Sequence, residues 1–267
     1  MRSAGYFKDK RIWITGASSG IGREITLQLI DSASEIIISA RNENALNALR
    51  HESGHPEKIR IVCMDQSSPE SVSKACEKVL ASQSVPNIVF CNGGVSQRAK
   101  AIDTEEEVER YIFETNYFSQ ILIVKRMIQS RRDGGLLHFV VTSSLLGKWG
   151  FPLRSSYAAT KHALHGYFDS LRMETRHSGV KITLVLPGFI NTPISIHAMN
   201  EGGKSSGTMD GNQAGGISAD ECARRILSGV AAGKREFAVG GNETFGVMLR
   251  RFFPDLFDVV LNRKSPR

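Results

Sequence analysis

"RIWITGASSGIG", residues 11–22, decides how the rest of the chain is read. A short apolar run, "RIWIT", passes without a break into a glycine-rich turn, and a helical pattern follows to about Ile30. Gly16, Gly20 and Gly22 let the backbone approach a ligand with no Cβ in the way. The helix behind them points its free amides and positive dipole end at the same space, which suits a pyrophosphate. Ser18, Ser19 and Ile21 complete that turn. Three glycines alone are a weak signal. At a strand-to-helix junction that opens a βαβ series they mark a dinucleotide site.

The series does continue. "EIIISA" (35–40), "KIRIVCM" (58–64), "NIVFCN" (87–92), "LLHFVVTS" (136–143), "KITLVLP" (181–187) and "REFAVG" (235–240) read as strands separated by helical patterns. They are apolar nearly throughout, as expected of strands covered on both faces. Strand–helix alternation predicts an α/β fold: a single-domain, doubly wound parallel sheet of about seven strands flanked by helices over residues 1–267. Ser68 with Pro69, Thr104 with Glu107, and Ser218 with Glu221 predict helix starts. Residues 194–217 break the rhythm with "NEGGKSSGTMDGNQAGG", the composition of a substrate lid or a flexible insertion. Residues 242–267 form a C-terminal extension of mixed aromatic and basic character. It can pack on the body, pair with another subunit or touch a membrane surface.

Composition narrows the function. The 267 residues are 41% apolar and 23% charged, with a net charge of +7. The basic residues are dispersed and no nucleic-acid recognition motif is present, so no nucleic-acid partner is expected. Cys63, Cys76, Cys91 and Cys222 are scattered without a CxxC pair, which predicts no metal site and a reduced compartment. No secretory segment or apolar run of spanning length is visible, so the expected location is cytoplasmic or membrane-peripheral.

The second strand ends where the adenosine ribose of a dinucleotide would lie. NAD-preferring sites place a carboxylate there. Here "SARN" puts Ala40 at the acid position, followed by Arg41 and Asn42. A guanidinium binds a 2′-phosphate that a carboxylate would repel, so NADP(H) is favoured over NAD(H). Asp65 and Gln66, ending the third strand, are candidates near the adenine.

"SYAATKHAL" (156–164) places Tyr157 one helical turn ahead of Lys161. The same spacing at Tyr6 and Lys10 has no upstream cofactor loop or serine and reads as coincidence. Around the second copy the motifs accumulate: "TGASSGIG" (15–22), "CNGG" (91–94), Asn116 in "ETNYF", "TSS" (142–144), "YAATK" (157–161) and "PGFINT" (187–192). In that order they resemble the short-chain dehydrogenases/reductases, in the compact NADP(H) oxidoreductase form, over roughly residues 8–240. The tail is similar to the dehydrogenase/reductase member 7 branch of that family. Two departures stand out: Cys91 and Gly93 alter the usual NNAG, and Ser119 stands where a glycine is frequent.

The resemblance implies a catalytic tetrad of Asn116, Ser144, Tyr157 and Lys161. Tyr157 would be the general acid/base, its phenol made more acidic by the Lys161 ammonium, which also grips the nicotinamide ribose. Ser144 would hold the substrate oxygen, and Asn116 a water next to Lys161. Asn92, Gly93 and Gly94 would flank the cofactor. Pro187 and Gly188 would turn the chain beside the nicotinamide, with Ile190 and Thr192 at its carboxamide. The implied reaction interconverts a lipophilic carbonyl and an alcohol. The family habit is a homodimer or homotetramer through helices around 105–131 and 155–178. His162 and His165 read as surface or interface residues. A second reading is an NADP(H)-binding sensor or scaffold without turnover; a third is a membrane-peripheral interaction protein.

Overall fold

The computed structural model describes residues 2–81, 85–131 and 134–264. The chain runs α1 (Arg2–Phe7), β1 (Arg11–Thr15), α2 (Gly20–Leu29), β2 (Glu35–Ser39), α3 (Glu43–Glu52), β3 (Ile59–Ile61), α4 (Pro69–Leu80) and β4 (Ile88–Cys91). It continues through α5 (Glu106–Phe113), a π-helical turn (Glu114–Phe118), α6 (Ser119–Gln129), β5 (Leu137–Thr142), α7 (Ser155–Glu174) and β6 (Val180–Pro187). Then follow β7 (Ile190–Asn191), α8 (Gly211–Ala214), β8 (Ile217–Ser218), α9 (Ala219–Ala231), β9 (Glu236–Val239), α10 (Gly246–Phe252) and α11 (Pro254–Lys264).

Among the described residues, seven strands form one parallel sheet in the order β3-β2-β1-β4-β5-β6-β9. The order reverses between β1 and β4, and the carboxyl ends of strands at such a reversal are where this architecture leaves a crevice. Successive side chains on each strand enter opposite layers. Trp13, Val89, Phe139, Val141 and Leu184 pack with α4, α6 and α7 residues. Ile12, Ile14, Ile36, Phe90, Val140 and Val185 pack with α2, α3 and α9 residues. That double burial is why the strands are apolar at every position rather than at alternate ones.

Local chemistry sets several helix starts. Ser68 caps α4 by accepting from the Ser71 amide, with Pro69 in the first turn. Ser218 caps α9 through the Glu221 amide. Thr104 does not cap its helix: α5 starts after Glu105, which makes no side-chain cap. The Thr104 hydroxyl instead donates to the Lys100 carbonyl at 2.8 Å and accepts from Gln97 Nε2 at 2.9 Å. The third strand is also shorter than the apolar run 58–64, although the Val62 and Met64 amides still reach the Ile38 and Ala40 carbonyls at 3.0 and 3.1 Å.

Tyr6 has a structural use far from the cavity described below. Its hydroxyl lies 2.7 Å from His138 Nδ1, and His138 Nε2 lies 3.0 Å from Thr183 Oγ1. Burial pushes the His138 imidazole down to about 4, so it packs as a neutral ring.

The 194–217 segment is folded back over the carboxyl ends of the strands. Met199 bridges Gln97, β7 pairs with β8, and Arg98 donates to Thr208 Oγ1 at 2.6 Å and to Asp210 Oδ2 at 3.1 Å. In the C-terminal extension the inward stripe of α10 and α11 packs against the body, with Phe257 edge-on to Trp149 at 5.0 Å between ring centroids. Its last three residues, 265–267, lie outside those described. No helix among the described residues is long and apolar enough to cross a membrane.

Candidate active site

The crevice at the carboxyl ends of the strands is a cavity of about 820 Å³, a size that accommodates a dinucleotide-scale ligand. It runs from the glycine turn to the tyrosine helix. Gly16, Ser18, Ser19, Gly20 and Ile21 line one end; Ser144, Tyr157 and Lys161 line the other.

At the first end the turn is shaped by positive φ at Gly16 (65°) and Gly20 (54°). A Cβ on Gly16 would stand 2.5 Å from Gly93 Cα, so the turn and the β4 exit loop touch backbone to backbone. Gly22 lies behind the wall, where a Cβ would collide with the Gly16 carbonyl. Ser19, the N-cap of α2, makes no side-chain cap, and the first turn holds no acidic residue. The helix amides therefore face the cavity without a protein acceptor of opposite charge, and a phosphate fits there.

The side expected to meet adenosine is mixed. Ala40, Arg41 and Asn42 all line the cavity, and Arg41 donates to the Tyr111 hydroxyl at 3.0 Å while exposed. The Asn42 side chain is committed to capping α3 through the Ala45 amide. The Asp65 carboxylate accepts from the Ser67 amide and hydroxyl at 2.9 and 2.8 Å. Gln66 turns inward: its Nε2 donates to Ser119 Oγ at 3.0 Å, and its Oε1 fills the place a methyl on residue 93 would take. The two departures from the usual motif, Gly93 and Ser119, thus meet at one side chain, Gln66. Asn92 lines the wall and donates to the Gly16 carbonyl at 3.3 Å; Gly93 and Gly94 line it beside Asn92.

At the other end α7 presents Tyr157 and Lys161 on one face. The amide of Tyr157 and that of Ser156 are held by Gln97 Oε1 at 3.3 and 2.8 Å, which caps a helix whose N-cap residue, Arg154, offers no side-chain cap. Lys161, 3% exposed, donates to the Thr142 carbonyl at 2.9 Å, and its Nζ lies 5.6 Å from the centroid of the Tyr157 ring. With no carboxylate beside it, burial pulls its pKa from 10.5 down to about 8. Ser144 caps a short turn by accepting from the Leu146 amide at 3.1 Å, and it also lines the cavity and hydrogen-bonds Tyr157.

The phenol corrects one expectation. Burial holds the Tyr157 pKa above its ordinary value, against smaller downward pulls from the Ser144 hydrogen bond and the charge of Arg154. The Lys161 ammonium, 5.6 Å from the ring centroid, is itself weakened by desolvation. Arg154, buried three residues before Tyr157, adds a cationic pull on the phenol after that of Ser144. It donates to the Gln97 carbonyl, and its Nη2 lies 3.1 Å from Asp210 Oδ2. Neither Arg154 nor Gln97 has a spacing that flags it; a buried arginine and a buried amide become visible only once the loops are placed.

Asn116 is fully buried behind the wall. In the π-helical turn its Oδ1 accepts from the Val95 amide at 2.8 Å, and its Nδ2 donates to the Val95 carbonyl and Thr160 Oγ1 at 2.9 and 3.2 Å. It ties the β4 exit loop to α7. Pro187, Gly188, Ile190 and Thr192 line the cavity beyond β6, and the Thr192 side chain would meet a Cβ placed on Gly20 at 3.1 Å. His162 is exposed, as expected, but His165 is buried rather than on the surface. Among the described residues no group of His, Cys, Asp or Glu could hold a metal ion, and all four cysteines are free.

The remaining wall is largely apolar, with Asn212, Gln213, Asn242 and Glu243 among its polar members. Leu145, Leu146, Trp149 and Phe151 face Phe245, Leu249, Phe257 and Val260 of the C-terminal extension. Ile194, His197 and Asp210 of the 194–217 segment close one side.

A family model described as short chain dehydrogenase matches residues 10–201. A dehydrogenase/reductase SDR family member 7B of Xenopus tropicalis is 34% identical over 96% of this chain and 86% of its own length. A dehydrogenase/reductase SDR family protein 7-like of Anopheles gambiae is 33% identical over 100% of this chain and 86% of its own length. A short chain dehydrogenase/reductase from Burkholderia phymatum, solved with NAD, superposes with a TM-score of 0.81 at 19% identity, covering 98% of each chain. One from Burkholderia cenocepacia, solved with NADP, gives 0.79 at 19% identity over 97% of this chain and 99% of its own. These two similarities concern the fold; the family match and the 7B relative carry the assignment. The chain belongs to the short-chain dehydrogenase family and is an oxidoreductase of that family.

Proposed function

We propose that this oxidoreductase reduces a lipophilic ketone or aldehyde with NADPH, with Tyr157 as the general acid. One observation carries the reading: a single cavity joins the helix amides behind Gly16 and Gly20 to Ser144, Tyr157 and Lys161. When bound, the dinucleotide supplies a hydride from its nicotinamide ring. The protein's part is to bind, orient and move one proton. The α2 amides hold the pyrophosphate. Arg41 meets a 2′-phosphate at a mouth where Ala40 offers no opposing carboxylate. Ser144 donates toward the substrate carbonyl oxygen and aligns it. Tyr157 gives its proton to that oxygen, and burial favours the protonated phenol that this direction of reaction requires. Lys161, with a pKa of about 8, exchanges protons near neutral pH and grips the ribose hydroxyls. The apolar part of the cavity wall supports a lipophilic substrate, with residues 194–217 as its lid.

Loss of NADPH absorbance against a panel of aromatic and long-chain ketones and aldehydes tests the reading, with NADH run in parallel. Turnover faster with NADPH, lost in Tyr157→Phe and shifted toward NADH in Arg41→Asp, is the expected result. Equal use of both cofactors would remove the NADP(H) preference. A homodimer or homotetramer is part of the proposal, and light scattering at assay concentration checks it.

A further inference from the structure

Tyr157, Lys161 and His165 lie at four-residue intervals on α7, and the third of them has no part in the chemistry proposed above. His165 is 8% exposed, yet its ring is bonded on both sides. Its Nε2 lies 3.0 Å from the hydroxyl of Ser143, and its Nδ1 lies 3.1 Å from Glu236 Oε2 and 3.2 Å from Lys148 Nζ. Lys148 Nζ is in turn 2.8 Å from Glu236 Oε1. The Ser143 hydroxyl also lies 3.3 Å from the carbonyl oxygen of Lys161. Gly147 leaves the room this needs: a Cβ there would stand 2.7 Å from both His165 Nε2 and Ser143 Oγ.

These residues come from separate elements. Ser143 follows β5, Lys148 sits in the turn after it, His165 is on α7 and Glu236 opens β9. We propose that Ser143, His165 and Glu236 form a positioning device that fixes the Ser144 loop against the Tyr157–Lys161 face of α7; it rests on the roles given above to Ser144 and Tyr157. The loop's own backbone tie next to Ser144 is the Ser143 amide on the Val185 carbonyl at 2.8 Å, which sets its distance from β6 and not from α7. On the α7 side, Lys161 Nζ holds the Thr142 carbonyl one residue earlier at 2.9 Å, and the Ser143 hydroxyl adds a second tie, one turn further along the helix, at His165. Either neutral tautomer of His165 keeps it closed. With hydrogen on Nδ1, Glu236 accepts and Ser143 donates to Nε2. With hydrogen on Nε2, Lys148 donates to Nδ1 and Ser143 accepts, passing its own hydrogen to the Lys161 carbonyl. The charged groups facing the ring, Glu236 and Lys148, compensate each other. The Glu236 carboxyl is held down to about 2, first by its hydrogen bond with His165 and then by Lys148. Proton transfer from Tyr157 to an oxygen held by Ser144 needs sub-ångström agreement between two elements, and this tie supplies it.

The test compares wild type with His165→Ala, His165→Gln and His165→Asn. The probe reaction is NADPH with phenanthrenequinone; NADPH affinity and Tm are measured alongside. A glutamine amide reaches the position of Nε2 and so Ser143; an asparagine amide reaches that of Nδ1 and so Glu236. His165→Ala should lower kcat by about tenfold or more with NADPH affinity unchanged. Glutamine should restore most of the rate and asparagine little. Amide deuterium exchange in the 143–148 turn, read without substrate, should rise in the alanine variant and fall back with glutamine. A Tm loss with unchanged kcat and exchange, or equal rescue by both amides, would overturn the proposal. A Tyr157→Phe variant with wild-type kcat would instead sink the catalytic reading, and the exchange measurement would still decide the tie.

Discussion

Lys161 is an ammonium buried without a carboxylate, and that has a cost the fold must carry. Its pKa falls from 10.5 to about 8. Between those values the unfolded chain binds a proton that the folded chain does not, so stability rises with pH across that window. Below about pH 8 the penalty is at its full size, on the order of 3 kcal/mol. Lys161→Met should therefore be more stable than wild type at neutral pH while losing turnover, and the advantage should shrink toward pH 10.5. Urea titrations at several pH values measure it; a pH-independent difference would mean an ordinary lysine pKa. Asp210 acts at the same scale. It balances Arg154, the cation that stabilises the Tyr157 phenolate. Asp210→Asn unmasks that charge, so the phenol should ionise more readily. Carbonyl reduction needs the protonated phenol, and the alkaline limb of the kcat/KM profile should move to lower pH. A limb that stays in place would show that Arg154 does not act on the proton donor.

Between elements, Gln66 links the loop after β3 to the β4 exit loop and to α6. Its Oε1 occupies the space above Gly93, and its Nε2 is 3.0 Å from Ser119. Gly93→Ala must push Gln66 off that bond, a loss of about 1–2 kcal/mol. In a Gln66→Ala background the same change should cost far less. Thermal unfolding of the four proteins in this cycle gives the coupling, and additive effects would mean that the methyl is accommodated elsewhere. Elements whose signal is local were legible in sequence. "RIWIT" is a strand as written because both of its faces are buried, and Ser68 and Ser218 cap because their hydroxyl oxygens accept from amides of their own helices, Ser68 donating to Glu70 in the same first turn. Thr104 failed as a cap because Gln97 and Lys100, not its own helix, claim its hydroxyl. That competition exists only after folding.

Across the whole molecule, the glycine turn and the Tyr157–Lys161 stripe were legible because each is one contiguous stretch of sequence, the first joining β1 to α2 and the second on α7. The segments of the apolar wall were marked in sequence as a lid and a C-terminal extension, but not which of their side chains would line the cavity. They are residues 194–217 and α10 and α11, segments whose contacts with the body follow no period that a sequence displays. For the same reason the surface reading of His165 failed: its partners come from β5, the turn after it and β9. The electrostatics shifted too: burial raises the phenol's pKa, opposed first by the Ser144 hydrogen bond and then by Arg154, where adjacency suggested a lowering by Lys161. What remains common to every scale is one cavity with a helix N-terminus at one end and a proton-bearing phenol at the other. Transfer of label from NADPH carrying deuterium at nicotinamide C4 tests that arrangement most directly. With wild type, deuterium should appear on the carbinol carbon of the reduced product; Tyr157→Phe should bind NADPH equally well and transfer none. Tight NADPH binding by wild type with no label delivered to any carbonyl compound, or transfer undiminished in Tyr157→Phe, would contradict it.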